Sequence, residues 1–162
     1  MPEMTLFGWF HTIVAIIALI TGYYTLAVYK VITPEHKPGQ LYLICTLIAA
    51  ATALMIYKHG DFGPAHVLAV LTLLALVGGY VVTKISMFAK IAKYFQAFCF
   101  SATLFFHMIP AITDGLLRLP VGDPILTNPK DPMLRKFYLA FLVIFLVGYT
   151  LQFLWLKKQN KT

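Results

Sequence analysis

Five apolar runs, separated by short polar connections, set the limits on what this chain can fold into. They cover residues 5–29, 41–57, 65–83, 94–113 and 137–156. Crossing the hydrocarbon core of a bilayer takes about 20 residues at a rise of about 1.5 Å each. In lipid, backbone N–H and C=O groups find partners only inside the protein, so such runs become helices. The expectation is an all-α integral membrane bundle of five transmembrane helices. Only 12% of the 162 residues are charged and 60% are hydrophobic, against about 25% charged in a soluble domain. No linker or repeat divides the chain, and its length suits one domain spanning 1–162. The first run lacks a basic leader and a small-residue cleavage pattern, which reads as a retained helix.

The net charge of +7 does not point to nucleic acid, because the basic residues sit at the ends of the apolar runs. Lysine and arginine in short loops orient a bundle. With the N-terminus outside and the C-terminus cytoplasmic, eight basic residues face the cytoplasm (Lys30, Lys37, Lys84, Lys90, Lys93, Lys157, Lys158, Lys161). Five face outward: Lys58, Arg118, Lys130, Arg135 and Lys136. A proline-rich loop at 114–136 is then an outer cap. The stretch "KISMFAKIAKYF" reads as an interfacial connection on the inner side. Cys45 and Cys99 lie in separate apolar runs without a CxxC pattern, as free buried thiols do. Tyr29, Tyr42, Tyr57 and Trp155 fall at run boundaries, where amphipathic rings anchor.

The histidines carry the functional argument. His11 and His107 each lie six residues inside the outer end of a run, or roughly 9 Å deep. His66 is shallower on the same side, His59 sits in the loop above it, and His36 is at the inner side. An ionisable residue inside a span usually faces the bundle interior and marks a site. Two imidazoles from different helices at one depth are what a low-spin b-type haem takes as axial ligands. His66 is a substitute ligand. Gly8 and Gly22 share the helical face of His11, leaving room for a close helix or a flat macrocycle. An imidazole at this depth also serves simply to bond a neighbouring hydroxyl or carbonyl.

The same residues admit other chemistry. His11, His66 and His107 form a candidate zinc or copper set, with Asp61 or Asp114 behind it. Thr113, Asp114, Arg118 and His107, with Trp9, Phe7, Phe10, Phe105 and Phe106 as walls, form a candidate quinone or quinol site. Asp114 and Arg118 are spaced i, i+4 and pair if the helix runs past Thr113. Pro110 removes a backbone donor inside that helix and frees a carbonyl.

The segments "FGWFHTIVA", "HKPGQLY" and "GDFGPAHVLAVLTLLAL" resemble those of small bacterial membrane proteins of unknown function. The architecture is also similar to haem-bearing bundles of the cytochrome b561 type. The chain departs from that pattern in lacking histidine pairs near both faces, so the resemblance implies one haem at most.

Together these readings give a redox protein of a bacterial inner membrane, with one b-type haem near the outer face and quinol as an electron partner. A non-catalytic accessory subunit of a larger membrane complex, and a small metal or solute transporter, are the alternatives from other classes.

Overall fold

The computed structural model describes residues 5–56 and 62–159. Its long elements are α1 (Leu6–Tyr29), α2 (Lys37–Ala53), α3 (Pro64–Val81), α4 (Ala92–Arg118) and α5 (Pro132–Gln159). Two short 3-10 turns, Val82–Lys84 and Ser86–Phe88, lead from α3 to α4. No strand occurs among the described residues. Lys58, His59 and Asp61 lie outside them.

Local chemistry sets each helix end. Thr5 caps α1 by accepting the Gly8 N–H at 3.1 Å, which satisfies one of the amides a helix start leaves without a partner. At the other end Lys30 adopts a left-handed φ of 67°, and its Nζ donates to the Ala27 carbonyl at 2.8 Å. Pro38 and Pro64 stand in the first turns of α2 and α3, where a missing N–H costs nothing. Asp131 Oδ1 accepts the Met133 N–H at 2.8 Å at the start of α5.

Four helices are long and apolar enough to cross a membrane: α1, α3 extended to Lys84, α4 and α5. The second expected span differs. Pro38 starts α2 early, on the polar residues Lys37 and Gln40, and the helix stops at Ala53 after 17 residues. In compensation α2 is lined by small buried side chains, among them Gly39, Cys45, Ala49, Ala50 and Thr52. Such residues let neighbouring backbones approach closely. Conversely α4 and α5 run several residues beyond their expected limits, so the connection between them shrinks to 119–131.

The chain runs up and down. Hydrogen bonds from Gln96 to the Gly79 carbonyl (3.1 Å) and from Lys93 to the Leu156 carbonyl (3.4 Å) bring the ends of α3, α4 and α5 together. At the opposite end Thr113 meets Tyr138, oxygen to oxygen, at 2.6 Å. Helix α4 is the axis, with 44% of its apolar window buried, whereas α5 has 11% and leans on α4 from outside. Helix α1 packs mainly on α2, α2 also on α3, and α3 on α4.

The core between α1, α2, α3 and α4 holds Ala18, Tyr42, Cys45, Leu76, Cys99, Phe100 and Leu104. Tyr42 is therefore no boundary anchor. It is completely buried, because the early start of α2 carries it one turn deeper into the bundle. Both cysteines are free and buried, and they share this core. A second cluster, Leu116, Leu117, Leu126 and Leu134, fastens the proline-rich connection to α4 and α5. Within that connection the Leu126 N–H bonds the Leu116 carbonyl at 2.9 Å.

Candidate cofactor site at the histidine end

The alternating course puts the start of α1, the end of α2, the start of α3 and the end of α4 at one end of the bundle. His11, His66 and His107 are all there. Seven lysines (Lys30, Lys37, Lys84, Lys90, Lys93, Lys157 and Lys158) gather at the opposite end among the described residues.

His11 continues the stripe of α1 that Ala18, Gly22 and Thr25 bury, at spacings that keep one helical face. His107 likewise extends the buried stripe Gln96, Phe100 and Thr103 on α4. Both imidazoles are partly buried.

Their hydrogen bonds set their tautomers. His107 Nδ1 lies 3.0 Å from the Thr103 carbonyl. A carbonyl only accepts, so Nδ1 carries the proton and the ring lone pair is on Nε2. His11 Nδ1 lies 2.9 Å from Thr52 Oγ1. The Thr52 hydroxyl spends its hydrogen on the carbonyls of Ile48 (2.8 Å) and Ala49 (3.1 Å). Thr52 thus accepts from His11, and that lone pair also falls on Nε2. A ring nitrogen anchored by a backbone or side-chain acceptor, with its partner nitrogen basic, is the usual condition of a metal-ligating histidine. The donor chemistry fits two axial ligands.

His66, expected as a third or substitute ligand, has another task. Its Nδ1 accepts the Gly63 N–H at 3.0 Å, which closes the start of α3 as a capping side chain does. In the neutral ring the proton then sits on Nε2, which leaves no lone pair for a metal. Phe62 stacks on the same ring at 5.1 Å. Among the described residues no three histidine, cysteine, aspartate or glutamate side chains gather in a way that could hold a metal ion, so the three-imidazole zinc or copper set is not assembled.

The proposed quinone residues also divide. Helix α4 continues past Thr113, and Arg118 Nε lies 3.9 Å from Asp114 Oδ1, a weak and solvent-screened pair. Thr113 turns toward Tyr138, and Phe105 stacks on Phe145 of α5 at 5.5 Å. Trp9, Phe7 and Phe10 are exposed on α1. These groups lie on different faces because each helix meets a different neighbour at every successive 100° of turn.

Gly22 is filled by protein. A Cβ there would meet the Tyr42 ring at 2.8 Å and Leu104 at 3.0 Å, so this glycine admits a close helix and not a macrocycle. Any flat group on this face belongs nearer the histidine end.

The structure also contains a polar seam that sequence reading missed. Tyr42 and Thr103 bond at 2.6 Å, and Ser101 donates to Gln152 Oε1 at 2.9 Å. Gln96, Ser101, Thr103 and Gln152 are all buried. The available signal was the polar residue inside an apolar run, the same signal that singled out His107.

No family model, no curated protein and no solved structure matches this chain.

Proposed function

We propose that this chain is a five-span redox protein of a bacterial inner membrane that binds one b-type haem near its outer face. In this reading His11 and His107 are the axial ligands, the N-terminus is outside and the lysine end is cytoplasmic. The observation that carries it is the matched state of the two imidazoles. Each donates Nδ1–H to a threonine group, which places the ring lone pair on Nε2. Bound haem supplies reversible one-electron chemistry.

The protein's part is to position and insulate. Thr52 and the Thr103 carbonyl fix the two ring planes and keep the ligand nitrogens basic. The tyrosine and glycine below them close the bundle toward the lysine end. Arg118, whose Nε lies 3.9 Å from Asp114 Oδ1, is a cation suited to a propionate. The short α2 crosses in the shelter of α1 and α3, where a 17-residue helix needs only slight thinning of the bilayer.

Purified protein in detergent is expected to show a Soret band, lost in both His11→Ala and His107→Ala. A colourless protein with no bound iron sinks the reading, and a Soret band that survives both substitutions removes the ligand assignment. A second reading, an accessory subunit of a larger membrane complex, is favoured by the thin cover on α5. It predicts a colourless chain that co-purifies with other membrane subunits.

A further inference from the structure

Helices α1 and α5 both lie against α4 but are parted at the lysine end by a groove of about 320 Å³, lined by Leu26, Lys30, Gly148, Leu151, Gln152 and Trp155. This is within the roughly 300–1,000 Å³ range of small-ligand sites. Its chemistry is one-sided. Lys30 offers a cation, of whose three donors one is spent on the Ala27 carbonyl. Trp155 offers an indole N–H, which only donates. Gln152 is 8% exposed, and its carbonyl oxygen is taken by Ser101, so its amide NH₂ is what it has left to present. No carboxylate lines the groove among the described residues.

Gly148 adds an independent observation. A glycine inside a helix costs about 1 kcal/mol against alanine, and close packing usually explains it. Here a Cβ would meet nothing within 4 Å. Gly22 and Gly79, in contrast, are pressed by side chains. The missing side chain at Gly148 widens the groove beside Leu26 and Leu151, where the surface is apolar.

We propose that this groove binds one anionic membrane phospholipid. Its phosphate is met by Lys30, the Gln152 amide and the Trp155 indole, and an acyl chain lies along Gly148 between α1 and α5. The setting suits such a lipid. The described charges at this end are seven lysines and a lone acid, Glu35, and lysine near an anionic leaflet contributes attraction. A phospholipid also supplies the apolar chain that free phosphate lacks.

The test uses the full chain in detergent, delipidated and then titrated with phosphatidylglycerol, phosphatidylcholine or inorganic phosphate, with retained lipid counted by native mass spectrometry. Wild type is expected to retain one phosphatidylglycerol in preference to phosphatidylcholine. Gly148→Leu, which fills the groove, should abolish that retention. Lys30→Asn, chosen because asparagine tolerates a positive φ, should weaken it about fivefold. Equal retention of phosphatidylglycerol by wild type and Gly148→Leu overturns the proposal. So does an equal uptake of the two lipids, or displacement of the lipid by millimolar inorganic phosphate. Thermal unfolding of each variant shows whether it is folded. Should Gly148→Leu prove unfolded, Gly148→Val takes its place and the same outcomes apply.

Discussion

The hydroxyl of Tyr42 on α2 lies 2.6 Å from that of Thr103 on α4. The Thr103 hydroxyl donates to the Phe100 carbonyl at 2.7 Å, so Tyr42 is the donor between the two hydroxyls. One bond thus joins two helices through a wholly buried ring. Tyr42→Phe removes that bond and leaves the Thr103 hydrogen satisfied, at an expected cost of about 1 kcal/mol. Tyr42→Ala also empties the ring's volume and should cost about 3–5 kcal/mol. Unfolding in a graded denaturing detergent measures both, and equal costs would deny the ring its packing role.

Three glycines give a graded set. Gly22→Ala drives a methyl to 2.8 Å from the Tyr42 ring, and Gly79→Ala drives one to 2.6 Å from Phe100. Each should destabilise by about 1–3 kcal/mol through overpacking. Gly148→Ala meets no atom within 4 Å and should be neutral or stabilise by up to about 1 kcal/mol through helix propensity. Melting temperatures of the three variants in one detergent check the order.

The Ser101–Gln152 bond ties α5 to α4 near the middle of their contact. Polar pairs between membrane helices couple by about 0.6 kcal/mol on average and reach about 1.7 kcal/mol. A double-mutant cycle of Ser101→Ala and Gln152→Leu is expected in the upper half of that span, since both side chains are buried. A coupling indistinguishable from zero would mean that this buried pair contributes nothing to holding α5.

His66 is read here as a helix cap. His66→Ala should therefore lower stability by about 1 kcal/mol, as loss of a cap does, and leave any haem spectrum unchanged. His107→Ala should do the reverse to the spectrum. A Soret band that disappears in His66→Ala would return this residue to the ligand set.

The Asp114–Arg118 pair is half exposed and long. Asp114→Asn should change stability by less than about 1 kcal/mol, as equilibrium unfolding would show. A larger loss would reveal a structural task for the carboxylate beyond this pair.

Much of this architecture is legible in residue order. Apolar runs with charged ends predict helices, and an imidazole in such a run predicts an inward-facing position. His11 and His107 do lie on the core stripes of α1 and α4. The i, i+4 spacing of Asp114 and Arg118 anticipated their pairing. What residue order hides is the partner of each polar group. His66 looked like a ligand because its role depends on an amide three residues earlier, available only once Pro64 starts the helix. Tyr42 looked like an anchor because its depth depends on where α2 begins.

The sequence alone determined that this chain is helical and suited to lipid, since apolar length and backbone satisfaction leave no other solution. It also determined the crowding of lysine at alternate loops. Tertiary structure decided the rest: that α4 is the axis, that Gly22 receives Tyr42, and that threonine groups set the tautomers of His11 and His107. Most of these depend on contacts between different helices, as between His11 on α1 and Thr52 on α2, while the bond from His107 to the Thr103 carbonyl is local to α4. Helical periodicity tells a residue which way to face, but only packing determines what it meets there.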